Sequence, residues 1–283
     1  MIINGDNIQR ICDHYIGKRA EFEPQHCYNP NLEEHKIVIF EDIVNEYNNG
    51  NIVFIYTHLL DGNYGNLSAS IEDTVIKLKF MKNPFKLVVF NSDTKFDKKC
   101  LKLFEVKNLK HIYTQNLNCL DSRITPLPLG LTRNMYPHGD MSIMYKVITM
   151  NITKRKGIYF NFQISTNPKH RQDCYDKIKQ RGIKWIENKP FENYLKELAS
   201  HKFCISPEGN GIDCHRTWEA LYLKTIPICK RSILTEHFSK MFPIVLIDDW
   251  SNLPPLRYKD FSWENYHKLD FGYWEKVITK DKL

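Results

Sequence analysis

The sequence of 283 residues predicts an α/β protein built on parallel sheets. Three observations predict it. Short apolar runs of four to six residues, rich in Ile, Val and Phe, recur along the chain. Helical stretches alternate with them. The alternation also restarts after a basic stretch, Lys154-Arg155-Lys156, which reads as a linker between two such series. The expected organisation is an α/β domain over 1–150, a second α/β domain over 151–260, and a C-terminal helix over 261–283 packing back towards the first.

Residues 1–35 read as mixed and polar, with turn signals at Asn29-Pro30-Asn31. Ile37 to Phe40, Ile52 to Tyr56, Leu87 to Phe90 and His111 to Thr114 read as buried strands. His58 to Ser68 is rich in Gly and Asn and reads as a loop. Asp73 to Met81 and Phe96 to Val106 read as helices. Pro126 to Gly130 is an extended segment. In the second series the strands are Gly157 to Phe162, Ile183 to Ile186, Phe203 to Ser206, Ile226 to Cys229 and Ile244 to Ile247. Helices are expected over Arg171 to Arg181, ended by Gly182, and over Phe191 to Ser200, Cys214 to Leu223 and Ile233 to Met241. Trp263, Tyr266, Leu269 and Tyr273 stand three to four apart, which suits a terminal amphipathic helix.

Composition narrows the classes. Hydrophobic residues make up 42% and aromatic residues 13%, so a packed core is expected rather than disorder. No stretch approaches the ~18 uncharged apolar residues of a membrane span. The polar N-terminus lacks the apolar core of a secretory signal, so a cytoplasmic location is expected. The sequons at Asn66 and Asn151 then carry no weight. The eight cysteines form no CxxC pair, and the closest, Cys204 and Cys214, are ten apart. They read as buried free thiols. The net charge of +7 is compatible with an anionic ligand. The basic residues are spread along the chain, and no recognition helix or RNA-binding motif is visible, so nucleic acid is not an expected partner.

Ligands of open parallel sheets bind at the carboxyl ends of the strands, so candidate chemistry should follow strands. The most informative segment does. After Phe203 to Ser206 come Pro207-Glu208-Gly209-Asn210-Gly211, then Asp213 as a candidate N-cap, then a helix with His215, Arg216 and Glu219 on one face. The glycines provide backbone freedom beside a positive helix end. Arg216 suits a diphosphate, because its fork bonds two oxygens at once. Glu219 suits the hydroxyls of a ribose. Trp218, Leu221 and Tyr222 lie opposite and suit packing on the sheet.

This segment resembles the donor-nucleotide motif of exostosin-like glycosyltransferases. The matching residues are Pro207, Gly209, Arg216, Glu219-Ala220-Leu221 and Ile226-Pro227-Ile228. Asn91-Ser92-Asp93, Gln115-Asn116, Pro128-Leu129-Gly130 and His138-Gly139 are similar to N-terminal landmarks of short members encoded by large DNA viruses. The resemblance implies a GT-B fold, two Rossmann-like domains facing a cleft, and transfer of a sugar from a nucleoside diphosphate to an acceptor hydroxyl, with inversion. It implies no required metal or cofactor, and a nucleotide sugar and a glycan acceptor as partners. Lys224 departs from the family, which usually has Gly after the helix.

The donor site is expected to include Glu208, Gly209, Asn210, Gly211, His215, Arg216 and Glu219. The first strand-to-helix turn of the second half adds Thr166, Asn167 and Arg171, with Pro168 in the helix's first turn. The resemblance puts Arg171 on the diphosphate. In the first half, His58, Asp61 and Asp93 follow strands and are the candidates for a base at the acceptor hydroxyl. Asp248-Asp249-Trp250 reads as a cap with a packed Trp rather than a metal site. A non-catalytic nucleotide- or glycan-binding module is the alternative; it would keep Arg216 and Glu219 without needing a base.

Overall fold

The computed structural model describes residues 1–23, 32–46, 50–61, 69–133 and 135–280. The expected turn at Asn29-Pro30-Asn31, Cys27, the Asn66 sequon and most of the Gly- and Asn-rich loop lie outside these residues. Among the described residues the chain is α/β with two parallel sheets, of six and four strands. It divides into two compact units. One comprises Asn4–Leu127 and Gly272–Leu283, the other Met1–Ile3 and Pro128–Phe271. The division thus runs at 127/128, earlier than the 150/151 boundary read from the sequence. Lys154-Arg155-Lys156 is no linker. Lys156 opens a strand, and the Lys154 ammonium donates to Ala199 O, Leu223 O and Thr225 Oγ1 at 2.6–2.7 Å.

The first unit carries β1 (His14–Gly17), β2 (Ile37–Ile39), β3 (Ile52–Tyr56), β4 (Phe85–Phe90), β5 (Leu109–Thr114) and β6 (Ile124–Pro126). Their order is β2-β1-β3-β4-β5-β6, all parallel. β3 and β4 are buried along their whole length, as central parallel strands covered on both faces are. β1 is a strand the sequence does not announce. It has four residues, among them His14 and Gly17, between Asp13 and Lys18. Asp13 sets its start: its N–H donates to Ile52 O, and its carboxylate accepts from Ile52 N. Around the sheet lie α1 (Gly5–Arg10), the single turn α2 (Arg19–Phe22) and α3 (Ile71–Leu78). α3 begins at a capping box between Ser70 and Asp73. The helix expected over Phe96 to Val106 is a 3-10 helix over Lys98–Glu105. The C-terminal helix, Phe271–Thr279, is tied to this sheet: Lys86 Nζ donates to Ile278 O, and Tyr113 OH to Val277 O. Its predecessors Tyr258–Asp260 and Glu264–Leu269 are 3-10 turns rather than one long amphipathic helix.

The second unit carries α4 (Met141–Thr149), β7 (Lys156–Tyr159), α5 (Pro168–Gln180), α6 (Phe191–Ala199), β8 (His201–Ile205), α7 (His215–Tyr222), β9 (Ile226–Lys230), α8 (Ile233–Ser239) and β10 (Val245–Ile247). The sheet order is β10-β9-β8-β7, all parallel. Its core joins Phe160, Phe203, Ile205, Ile226 and Ile228 to Trp250. The strand expected over Ile183 to Ile186 is not a regular one. Ile186 N donates to Phe160 O just past β7, but the carbonyl of Ile186 is taken by the Asn161 side chain at 2.7 Å. A side chain ends the ladder after one bond. The sheet's strands follow one another in chain order, and ligands of such open parallel sheets bind beyond the carboxyl ends of the strands.

Gly182 ends α5 at φ +76°, as its position predicts. Lys224 ends α7 at φ 53°, in the same left-handed region, with a side chain that pays a steric cost there. Lys224→Gly is expected to be about 1 kcal/mol more stable than Lys224→Ala. Both variants lose the ammonium that sits 5.2 Å from the Tyr266 ring, so the comparison isolates the backbone. Chemical denaturation of the two reads the difference; equal stabilities would show that the strain is relieved elsewhere.

Candidate functional site

β8 delivers the chain to Ser206, whose N–H continues the ladder to Ile228 O. Ser206 Oγ lies 2.9 Å from Thr217 Oγ1, so the strand end is fastened to α7. Between them the loop 207–214 turns at the carboxyl end of β8. The sequence reading assigned its shape to glycine freedom. Among the described residues, the glycines with positive φ are Gly130 and Gly182, so Gly209 and Gly211 use ordinary backbone. The loop is shaped instead by side chains that grip it. Arg171 Nε donates to Glu208 O at 2.9 Å, and its NH1 donates to Gln163 O at 2.8 Å. Asn167 Nδ2 donates to Gly209 O at 2.7 Å. A side chain at Gly209 would meet Arg171 NH2 at 3.7 Å, which shows how closely the guanidinium lies beneath the loop.

Arg171 is 6% exposed, the fourth residue of a helix that starts with Pro168 as expected. Its role in the protein is thus a brace for the loop. Thr166 closes a 3-10 turn at Ile164–Thr166 and is half-buried beside it. Asn210 is exposed at the loop's tip, and Glu208 is half-buried.

Asp213 is not the N-cap. Cys214 holds that position, and Asp213 turns inward. Its carboxylate accepts from Trp218 Nε1 with both oxygens at 2.9 Å, from Cys214 N at 2.8 Å and from Leu129 N at 3.0 Å. Burial outweighs these donors and pushes its pKa up to about 6.

The segment Pro128 to Leu131 is thereby fixed against the start of α7. Leu131 N donates to Ile3 O, and Gly130 O meets His215 Nδ1 at 2.9 Å. Gly130 is required: its φ is +68°, and a Cβ would stand 2.2 Å from Ile3 O.

α7 carries the three expected residues, but they do not stand alone. Arg216 NH1 donates to Asn161 O, and its guanidinium carbon lies 5.7 Å from the Tyr159 ring centre and 5.1 Å from that of Tyr194. Glu219 is 6% exposed, and its Oε2 accepts from Tyr194 OH at 2.5 Å. Burial raises the Tyr194 pKa, so this phenol is a donor. Trp218 and Leu221 are fully buried on the opposite side, as their positions predict. Tyr159, Asn161 and Tyr194 were not legible as site residues. Tyr194 sits among the apolar positions of an amphipathic helix and reads as core.

A small pocket opens beside the loop, lined by Ser206, Glu208, Asp213, Thr217, Lys230 and Thr235 among others. It sits at the carboxyl ends of β8 and β9.

The base candidates of the other unit fare differently. His58 follows β3 and is 4% exposed. Its Nε2 pairs with the fully buried Glu21 on α2, and its ring stacks on Tyr56 at 5.4 Å. Asp61 pairs with Lys99 at 2.8 Å. Asp93 is exposed. It follows a turn that Asn91 starts at φ 59° and that Gln115 and Asn116 hold through Ser92 O. The two expected landmarks, Asn91-Ser92-Asp93 and Gln115-Asn116, are thus one structure at the ends of β4 and β5.

Asp248 and Asp249 bind Arg231 and Lys177 at 2.8 and 2.7 Å. Asp249 also accepts from Ser251 N, and Trp250 is buried. That is the cap with a packed Trp read from the sequence. No helix is long and apolar enough to cross a membrane among the described residues. Comparison with known proteins adds no family: no family model matches the chain, and no curated protein matches it.

Proposed function

We propose that the protein is a GT-B-type glycosyltransferase, moving a sugar from a nucleoside diphosphate to an acceptor hydroxyl. One observation carries the reading. Arg216 and Glu219 stand in the first two turns of a helix that follows the carboxyl end of β8, with the entry loop braced by Arg171 and Asn167. Arg216 would hold the diphosphate and steady the charge that develops as it leaves. Glu219 would hold the ribose with the carboxylate oxygen that Tyr194 does not occupy. The loop N–H groups from Glu208 to Gly211 would add donors to the phosphates. The reading takes the enzyme as cytoplasmic, inverting and independent of divalent metal.

Calorimetry and thermal shift against UDP, GDP, CDP and their sugars, with and without Mg²⁺, test it. One nucleotide family should bind and raise the melting temperature by mass action, without need for Mg²⁺. The matching sugar donor should be consumed when an acceptor is supplied. No response to any nucleotide overturns the reading.

A second reading has one observation in its favour. His58 and Asp61, two of the three base candidates, are already engaged by Glu21 and Lys99. A non-catalytic nucleotide-binding module needs no base. Binding of a donor without hydrolysis or transfer to any offered acceptor would select it.

A further inference from the structure

His215 is the first residue of α7, half-buried, with one ring nitrogen committed. Its Nδ1 lies 2.9 Å from the carbonyl oxygen of Gly130. A carbonyl only accepts, so Nδ1 carries the proton. Gly130 cannot move away easily, because its left-handed backbone is wedged against Ile3 O. The tautomer is therefore set by the fold: in the neutral ring, Nε2 bears a lone pair. A lone pair repels phosphate oxygen, whereas the cationic ring presents a second N–H.

We infer that His215 engages the diphosphate of the donor only as an imidazolium, so that binding of the anionic donor is coupled to uptake of one proton at Nε2. The inference rests on the donor-site reading above and names the protonation state in which that site works. The charged residues that neighbour His215 on its own element are Asp213 at the helix entry and Arg216 and Glu219 on the helix. Arg171 and Glu208 belong to the braced loop. The Pro128–Leu131 segment packed on the ring brings none. The incoming diphosphate would add negative charge beside Nε2, which favours the cationic ring.

The test uses UDP-glucose and GDP-mannose as probes. Their phosphates are both diesters and, unlike a terminal phosphate with a second pKa near ~6, do not titrate near neutrality. Calorimetry in buffers of different ionisation enthalpy counts protons taken up per ligand bound. With the wild type, uptake should approach one proton at the alkaline end of the range, and affinity should fall about tenfold from pH 6 to pH 8. His215→Asn keeps an amide donor for Gly130 O but has nothing at Nε2. It should bind more weakly at pH 6, with no proton uptake. His215→Gln places a neutral donor near Nε2 and should bind with an affinity independent of pH. Proton uptake that persists in both variants overturns the inference while leaving the donor site standing. So does a flat affinity in the wild type. Absence of binding by the wild type at every pH overturns the donor site itself.

Discussion

Arg216→Ala is expected to weaken binding of the cognate nucleoside diphosphate by about two orders of magnitude. Two charge-assisted hydrogen bonds from one fork are worth roughly 3 kcal/mol, and each ~1.4 kcal/mol is tenfold in Kd. The fold should tolerate the change. The guanidinium covers Tyr159 and Tyr194 from a half-buried position and satisfies one backbone carbonyl, Asn161 O. Calorimetry of the variant, together with its melting temperature without ligand, separates the two effects. Arg216→Lys keeps the charge without the fork and should recover only part of the affinity. Unchanged affinity in Arg216→Ala would remove the diphosphate from α7.

Asp213→Ala is expected to be the most destabilising of the substitutions considered, by about 3–5 kcal/mol. It would leave Trp218 Nε1, Cys214 N and Leu129 N without their acceptor in a site that is 7% exposed. The same residue gives a pH signature. Its pKa is raised in the folded protein, from 3.8 to about 6, so the folded state holds the proton more tightly than the unfolded chain. Stability from this group is therefore fully present below the unfolded value. It declines as pH rises through the window from 3.8 to about 6, and is flat above it. The difference amounts to about 3 kcal/mol. Denaturation midpoints of the wild type across pH 4 to 7 should show this decline, and Asp213→Asn should remove it. A midpoint that rises through that window, once other carboxylates are matched by the Asn variant, would show that the donors win over burial.

The alternation of apolar runs was enough to read both parallel sheets, because β3, β4, β8 and β9 are buried on both faces and their sequences carry the period of nothing but burial. β1 escaped because its position between β2 and β3 depends on Asp13 and Ile52 meeting across the sheet, not on its own four residues. The segment 183–186 was apolar enough for a strand, yet a single side chain, Asn161, displaced the backbone from its ladder. At the site, the chemistry-bearing residues of α7 were legible from their spacing. Their partners were not. Tyr194 reaches Glu219 from another helix, and Gly130 reaches His215 from a segment 85 residues away. Arg171, expected as a ligand contact, also braces the loop, and nothing local shows that Glu208 O and Gln163 O would claim two of its donors. Asp213 likewise looks like any helix cap until Trp218 and Leu129 are in place.

The tie between Lys86, Tyr113 and the C-terminal helix has a consequence for how the chain is made. The six-stranded unit is interrupted after Leu127 and resumed at Gly272, with the four-stranded unit made in between. During synthesis the buried ammonium of Lys86, on a central strand, must wait some 190 residues for the carbonyl of Ile278. The four-stranded unit can complete its sheet while the six-stranded one is still open at this point. Birth order and completion order are thus reversed: the sheet that starts first is sealed after the one that starts second, by the helix Phe271–Thr279.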